Sequence, residues 1–248
     1  GKSRDDGNGN GKTRSYENRK PLRQQLFTSP LISVLYERIL PPLWEAGLRI
    51  GGPDAEYDAA TSHLTGDGTG ILLDLSCGTG FVARRFAKAG RYQHVFALDY
   101  SLQMLGECKA TIQRDVAETS QRSSIGSNTD GAYWNDLSLI RGDACKLPFR
   151  DATLDAVHWG AAMHCVPDAE MAMCEIYRVL KPGGKLYATT FLRPFPDVVF
   201  RFFELHEIEQ LARDAGFGER SGRNNAGEAL SVSRVGVYGV LKAKKGME

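Results

Sequence analysis

"ILLDLSCGTGFVARRF", residues 71–86, decides the fold. A short apolar run reaches an acid, Asp74, crosses a turn containing Gly78 and Gly80, and enters a segment whose Val82, Phe86 and Ala89 share one helical face, closed by Gly90. A run of that length bounded by turn residues reads as a buried strand. "HVFALD", residues 94–99, is a second such run ending in an acid, so the stretch predicts a strand–helix–strand unit. The same turn satisfies G-x-G-x-x-A through Gly78, Gly80 and Ala83, and two classes of cofactor compete for it.

Outward from this unit the alternation continues. Ser101 is placed to cap a helix carrying Met104, Leu105, Cys108 and Ile112 at helical spacing. The polar run "ETSQRSSIGSNTDGAYWND" reads as a surface insertion before the strand "LSLIRGD". "TLDAVHWG" gives a fourth strand, followed by a helix through Ala172, Ile176 and Val179, a turn at "KPGG" and a fifth strand, "KLYATTF". "HEIEQLARDAGF" is a last helix stopped by Gly216, and "LSVSRVGVYGVLKAK" supplies one or two closing strands. The predicted fold class is α/β: a doubly wound, Rossmann-like, mostly parallel sheet with helices on both faces and an N-terminal helical extension. The domain reading is a disordered tail over 1–20, rich in Gly, Asn and charge; a helical extension over 21–69, with a helix at 55–64; and a cofactor-binding domain over 70–248.

A chain of 248 residues suits one α/β domain with an extension. Lys and Arg number 31 against 30 Asp and Glu, so no strong field selects nucleic acid or an anionic membrane, and a small-molecule substrate is the expected partner. No run is apolar enough to span a bilayer, and the chain reads as soluble. The five scattered cysteines show no zinc spacing; they are expected to be reduced thiols in a reducing intracellular compartment, packed as small hydrophobes, and no metal site is predicted.

Position does not separate the candidate ligands, because doubly wound sheets bind at the carboxyl ends of their strands. Charge does. A dinucleotide sets its pyrophosphate against the helix N-terminus. Asp74 stands four residues before Gly78, and at about 5 Å with an effective dielectric of about 20 its repulsion of a phosphate is on the order of 3 kcal/mol. S-adenosylmethionine has no phosphate, carries a sulfonium and an ammonium, and needs the close backbone approach that Gly78 and Gly80 permit. Asp99 can accept from ribose hydroxyls with either ligand; Asp143 can accept from an adenine amino group, and Met104 can cover an adenine face. Three acids, each ending a strand, favour the sulfonium ligand.

The motifs "LLDLSCGTG", "ALDYSLQML", "RGDACKLPFRDATLDAV", "AAMHCVPD" and "IYRVLKPGGKLYATTF", in that order, resemble class I S-adenosylmethionine-dependent methyltransferases, within them the UbiE-like small-molecule group. "LFTSPLISVLYER" and "LDAVHWGAAMHC" further resemble plant and algal plastid members, which implies a plastid location, with the cytoplasm as the alternative. The resemblance implies that Asp74, Cys77, Gly78 and Gly80 surround the methionine part, Asp99 holds the ribose, Tyr100, Ser101 and Met104 lie beside the adenosine, and Asp143 and Ala144 meet the adenine. It also implies that the segment beginning with Trp159 and Gly160 and ending at His164 passes below the transferable methyl group. Two regions depart from the family pattern: the short "LRPFPDVVFRFFEL" and the polar "GERSGRNNAGEA".

A sulfonium already activates its methyl group, so methyl transfer needs chiefly a nucleophile held in line and water kept out. His164 is the candidate general base, with a packed structural histidine as the other reading. Arg193 is either a guide for an acidic substrate or a solvated loop residue, and Phe27, Tyr36 and Trp44 either cover an apolar substrate or pack the extension. Two other functions stay open: a nicotinamide-dependent oxidoreductase using the same turn, and an S-adenosylmethionine-binding protein without transfer activity.

Overall fold

The computed structural model describes residues 52–123, 136–193, 201–218 and 229–247. The expected tail, the helices around Phe27, Tyr36 and Trp44, and most of the polar segment before the last strands lie outside the described residues.

Helix α1, Gly52–His63, precedes strand β1, Ile71–Leu75. Helix α2, Phe81–Ala89, leads to β2, His94–Asp99, and α3, Leu102–Ser123, precedes β3, Leu137–Arg141. Strand β4, Leu154–Trp159, is followed by a single 3-10 turn at Met163–Cys165, α4, Ala169–Val179, and β5, Leu180–Phe191. Helix α5, Leu205–Asp214, and strands β6, Leu230–Val235, and β7, Tyr238–Lys244, complete the order. The seven strands form one sheet in the order β3-β2-β1-β4-β5-β7-β6. Every pairing from β3 to β5 is parallel, and only β7, antiparallel to both β5 and β6, breaks the pattern.

The apolar run of β1 is continuous because both faces of the sheet are covered. Leu72 joins one core layer with Ala60 and Leu64 on the α1 side, and Ala83 and Phe86 of α2. Leu73 and Leu75 join the other with Ala172 and Ile176 of α4, and Ile208 and Leu211 of α5. The expected doubly wound sheet is present, and α1, read as part of an extension, packs into its core. The glycine stop of α2 also holds: Gly90 is left-handed and its N–H donates to the Ala87 carbonyl.

Two local expectations change. The insertion expected from Glu118 begins later, because α3 runs to Ser123; neither Gly nor Pro interrupts the chain between Gly106 and Gly126. "KPGG" is not a separate turn but the first part of β5, where register with β4 slips between Leu154 and Ala156. Its backbone is tied down by Gly183 N–H donating to the Lys245 carbonyl and Lys245 N–H donating to Gly184, so the segment stays bonded to the sheet as a bulge.

Candidate cofactor site

The strand order reverses between β1 and β4: the chain winds outward through β2 and β3, then returns to lay β4 on the other side of β1. The crevice above this point is where open α/β sheets take ligands. Three of the expected acids stand along its edge. Asp74 is in β1, Asp99 ends β2, and Asp143 lies two residues past β3.

The turn after β1 has a left-handed backbone at Ser76, Gly78 and Gly80, with φ of 56°, 56° and 74°. The two glycines do different things. A Cβ on Gly80 would collide with the Cys108 sulfur of α3, so this glycine lets helix and turn pack closely. A Cβ on Gly78 would meet nothing within 4 Å, so this residue presents bare backbone on an open side. Asp99 braces the turn: its Oδ2 accepts from Gly78 N–H at 2.9 Å and its Oδ1 from Ser101 N–H at 2.8 Å. Each oxygen retains acceptor capacity, so a ribose contact remains geometrically open. Burial raises the Asp99 carboxyl above its usual range, against the backbone hydrogen bonds that lower it. Burial also raises the Cys77 thiol, and the charges of Asp99 and Asp74 add to the rise, which sets both acids beside the turn.

The residues expected around the adenosine are ordered by local structure. Ser101 is the N-cap of α3, its Oγ accepting from Met104 N–H at 3.3 Å, and both residues are buried. Tyr100 is exposed, with the Arg141 guanidinium 5.8 Å over its ring. Asp143 Oδ1 accepts from Cys145 N–H at 3.0 Å in an Asx turn that sets Ala144 into the core.

Asp74 is 2% exposed, and it is not the lone charge that its place in the sequence suggests. Its Oδ1 lies 2.7 Å from Nδ1 of His158, which faces it across the β1–β4 pairing. Nε2 of His158 is 3.9 Å from Oε1 of Glu56 in α1. The ring stacks on Tyr187 of β5, with centroids 5.9 Å apart and planes 8° from parallel. Burial lowers the affinity of His158 for a proton, but Asp74 and Glu56 together outweigh it and its pKa is raised. Glu56 accepts from the Thr189 hydroxyl at 2.5 Å, and Thr189 Oγ1 accepts from Ala161 N–H at 2.7 Å. This chain of contacts thus links the first strand to the loop after β4, where Ala161 has φ of 45°. Among the described residues, Asp74 Oδ2 accepts no hydrogen bond although it is buried. Sequence reasoning missed Glu56, His158 and Thr189. A histidine between Val157 and Trp159 in "LDAVHW" was the available signal; its partners come from other elements.

The segment after β4 is placed differently from one residue to the next. Gly160 packs against the relay, since a Cβ there would come within 2.6 Å of His158 Cε1 and 2.8 Å of Glu56 Oε1. Trp159, expected beside the cofactor, is fully buried in the opposite core layer with Leu73 and Met163, because consecutive strand residues face opposite ways. Its indole packs among these core residues, with Nε1 buried and without a hydrogen bond among the described residues. His164 is buried too, with Nδ1 3.3 Å from Thr190 Oγ1, its ring stacked on Phe202 and edge-on to Phe191. Desolvation lowers its pKa to about 3, so it is neutral at pH 7 and a weak proton acceptor. Of its two readings, the packed ring fits these surroundings. Arg193 lies against the Phe202 carbonyl at 3.4 Å and Glu207 at 3.7 Å, a packing arrangement within its own loop and α5.

A family model described as "Methyltransferase domain" matches residues 73–188, from β1 into β5. An "uncharacterized methyltransferase", chloroplastic, of Arabidopsis thaliana is 41% identical over 73% of this chain and 47% of its own length. A ubiquinone/menaquinone biosynthesis C-methyltransferase UbiE of Desulfotalea psychrophila is 31% identical over 62% of this chain and 55% of its own. The chain thus spans about half the length of the curated relatives it matches. Among solved structures, the [4+2]-cyclase SpnF aligns over 92% of this chain and 97% of its own with a TM-score of 0.64 at 17% identity, a likeness of fold alone. With the fold and these matches in agreement, residues 73–188 carry a methyltransferase domain, and the chain is similar to UbiE-like and chloroplastic methyltransferases.

Proposed function

We propose that this domain transfers a methyl group from S-adenosylmethionine to a small-molecule acceptor of apolar or aromatic character. The observation that carries the reading is the pairing of Asp74 Oδ2, a buried carboxylate oxygen without a hydrogen bond among the described residues, with the open side of left-handed Gly78. An ammonium supplies the donor such an oxygen needs, and bare backbone lets the ligand approach. Asp74, Cys77, Gly78 and Gly80 would hold the methionine part, Asp99 the ribose, Tyr100, Ser101 and Met104 the adenosine, Asp143 and Ala144 the adenine, and Gly160 the floor below. When bound, the cofactor supplies a methyl group already activated on a sulfonium. The chain's own task is then to bind, orient and exclude water. No general base is assigned, because burial lowers the His164 pKa to about 3 and leaves it a weak proton acceptor. The chloroplastic relative supports a plastid location.

Thermal unfolding with candidate ligands tests the cofactor. S-adenosylhomocysteine at about 100 times its dissociation constant should add about 2.7 kcal/mol of stability, and NADH should add none. Stabilisation by NADH alone would return the turn to the nicotinamide reading. Transfer of labelled methyl from S-adenosylmethionine into a plastid extract, followed by mass spectrometry of the labelled compound, identifies the acceptor. Binding without any labelled product would favour a cofactor-binding protein without transfer activity.

A further inference from the structure

His158 has no place in the cofactor contacts above, yet it is hydrogen-bonded to the buried carboxylate on which they rest. Five elements define its surroundings: Asp74 from β1, Glu56 from α1, Tyr187 from β5, Phe86 from α2 at 6.1 Å, and Gly160 immediately after β4. The neighbouring charge is all negative. Beyond Asp74 stand Asp99 and the Cys77 thiol, and beyond Glu56 the Tyr187 and Tyr238 hydroxyls, both kept neutral by burial. Asp74 holds the ring through Nδ1, whereas Nε2 is buried without a hydrogen bond among the described residues and Glu56, 3.9 Å away, acts on it through charge alone; removing either acid leaves charge uncompensated.

We propose that His158 is a positioning residue of the cofactor site: it fixes Asp74 through one carboxylate oxygen, and its charge competes with the ammonium of the ligand for that same carboxylate. The inference rests on the preceding reading that the methionine part lies against Asp74. The geometry supplies both halves. Oδ1 is taken by His158 and Oδ2 is not, so a ligand ammonium on Oδ2 would place two cations on one buried acid. Like charges sharing a site push one proton off. Binding of an ammonium-bearing ligand therefore favours neutral His158, which still donates Nδ1–H to Asp74 while the second proton leaves to solvent. Glu56 opposes that loss from the other side of the ring, and through Thr189 it joins the same balance to the Ala161 amide of the loop after β4.

The sign of the effect is fixed by the raised pKa of His158. Its charged form dominates below the usual value of 6.5 and is lost as pH rises through the higher folded value. Affinity for S-adenosylhomocysteine should accordingly tighten with rising pH, by about tenfold for each unit by which the ligand lowers the His158 pKa. Isothermal titration calorimetry in buffers of different ionisation enthalpy reads the protons released on binding directly. The wild-type protein should release protons with S-adenosylhomocysteine and none with 5′-methylthioadenosine, which lacks the ammonium. His158→Gln, whose amide can still donate to Asp74 but cannot titrate, should bind S-adenosylhomocysteine with no proton release. Glu56→Gln should move the midpoint of the wild-type pH profile downward, and it keeps the test decisive should His158→Gln not fold by circular dichroism. Equal release by wild type and His158→Gln, or equal release with 5′-methylthioadenosine, or an unmoved midpoint in Glu56→Gln, overturns the role of His158. Absence of S-adenosylhomocysteine binding at every pH overturns the cofactor reading instead, and this inference with it.

Discussion

At the scale of single residues, two glycines two positions apart have different surroundings. Gly78 and Gly80 both have positive φ, but only Gly80 has a neighbour, Cys108, in the path of a side chain. Gly80→Ala should therefore lose both backbone freedom and close packing, costing about 1–3 kcal/mol and lowering the thermal midpoint by several degrees. Gly78→Ala should lose about 1 kcal/mol from its left-handed backbone alone, yet weaken S-adenosylhomocysteine binding by about tenfold or more, because its Cβ would project into the open side of the turn. Paired calorimetric unfolding and binding measurements check both outcomes. A reversed pattern, with Gly78 governing stability and Gly80 binding, would contradict the placement of the ligand. The spacing of these glycines was legible in the sequence; the difference between them was not, because Cys108 is 28 positions further along the chain.

At the scale of elements, sequence periodicity read well where the pattern answered to one partner. "HVFALD" forms β2 over the expected residues, and α4 buries Ala172, Ile176 and Val179 as its spacing predicts. Its start is equally local: Asp168 caps it by accepting from Met171 N–H at 2.9 Å. Asp168→Ala should cost about 1 kcal/mol, seen as a lower urea midpoint with an unchanged slope, and should leave S-adenosylhomocysteine affinity as it was. A changed affinity would mean that α4 communicates with the cofactor site. Periodicity failed where a distant backbone decided the outcome. "KPGG" has the composition of a free turn, but the Lys245 backbone holds Gly183 and Gly184 in the sheet. Helix α3 continued beyond its apolar stripe because a polar segment without Gly or Pro can remain helical.

For the whole molecule, the two buried histidines act with opposite sign in separate pH windows, His164 below 6.5 and His158 above it. His164, with a pKa lowered to about 3, binds its proton less readily folded than unfolded; its stability contribution is full above about pH 6.5 and is lost as pH falls from there toward 3. The slope within that window approaches about 1.4 kcal/mol per pH unit. His158, with a raised pKa, has the other sign: its contribution is full below 6.5 and is lost as pH rises through its folded value. Urea unfolding of wild type and His164→Phe at several pH values isolates the first effect. The difference in stability between the two should shift toward the variant as pH drops below 6.5, and parallel curves would show that His164 is not held neutral.

The sequence by itself determined the α/β class, the position of the glycine turn and the row of acids at strand ends, since each follows from local periodicity, turn chemistry and chain order. The tertiary structure decided what those acids do. It gave Asp74 a histidine partner from the neighbouring strand and Asp99 the task of bracing the turn. It turned Trp159 inward and drew Glu56 from a helix before the first strand to the side of His158. The physical reason is that burial and pairing depend on groups brought together across the sheet, and neither is written in the spacing of any one segment.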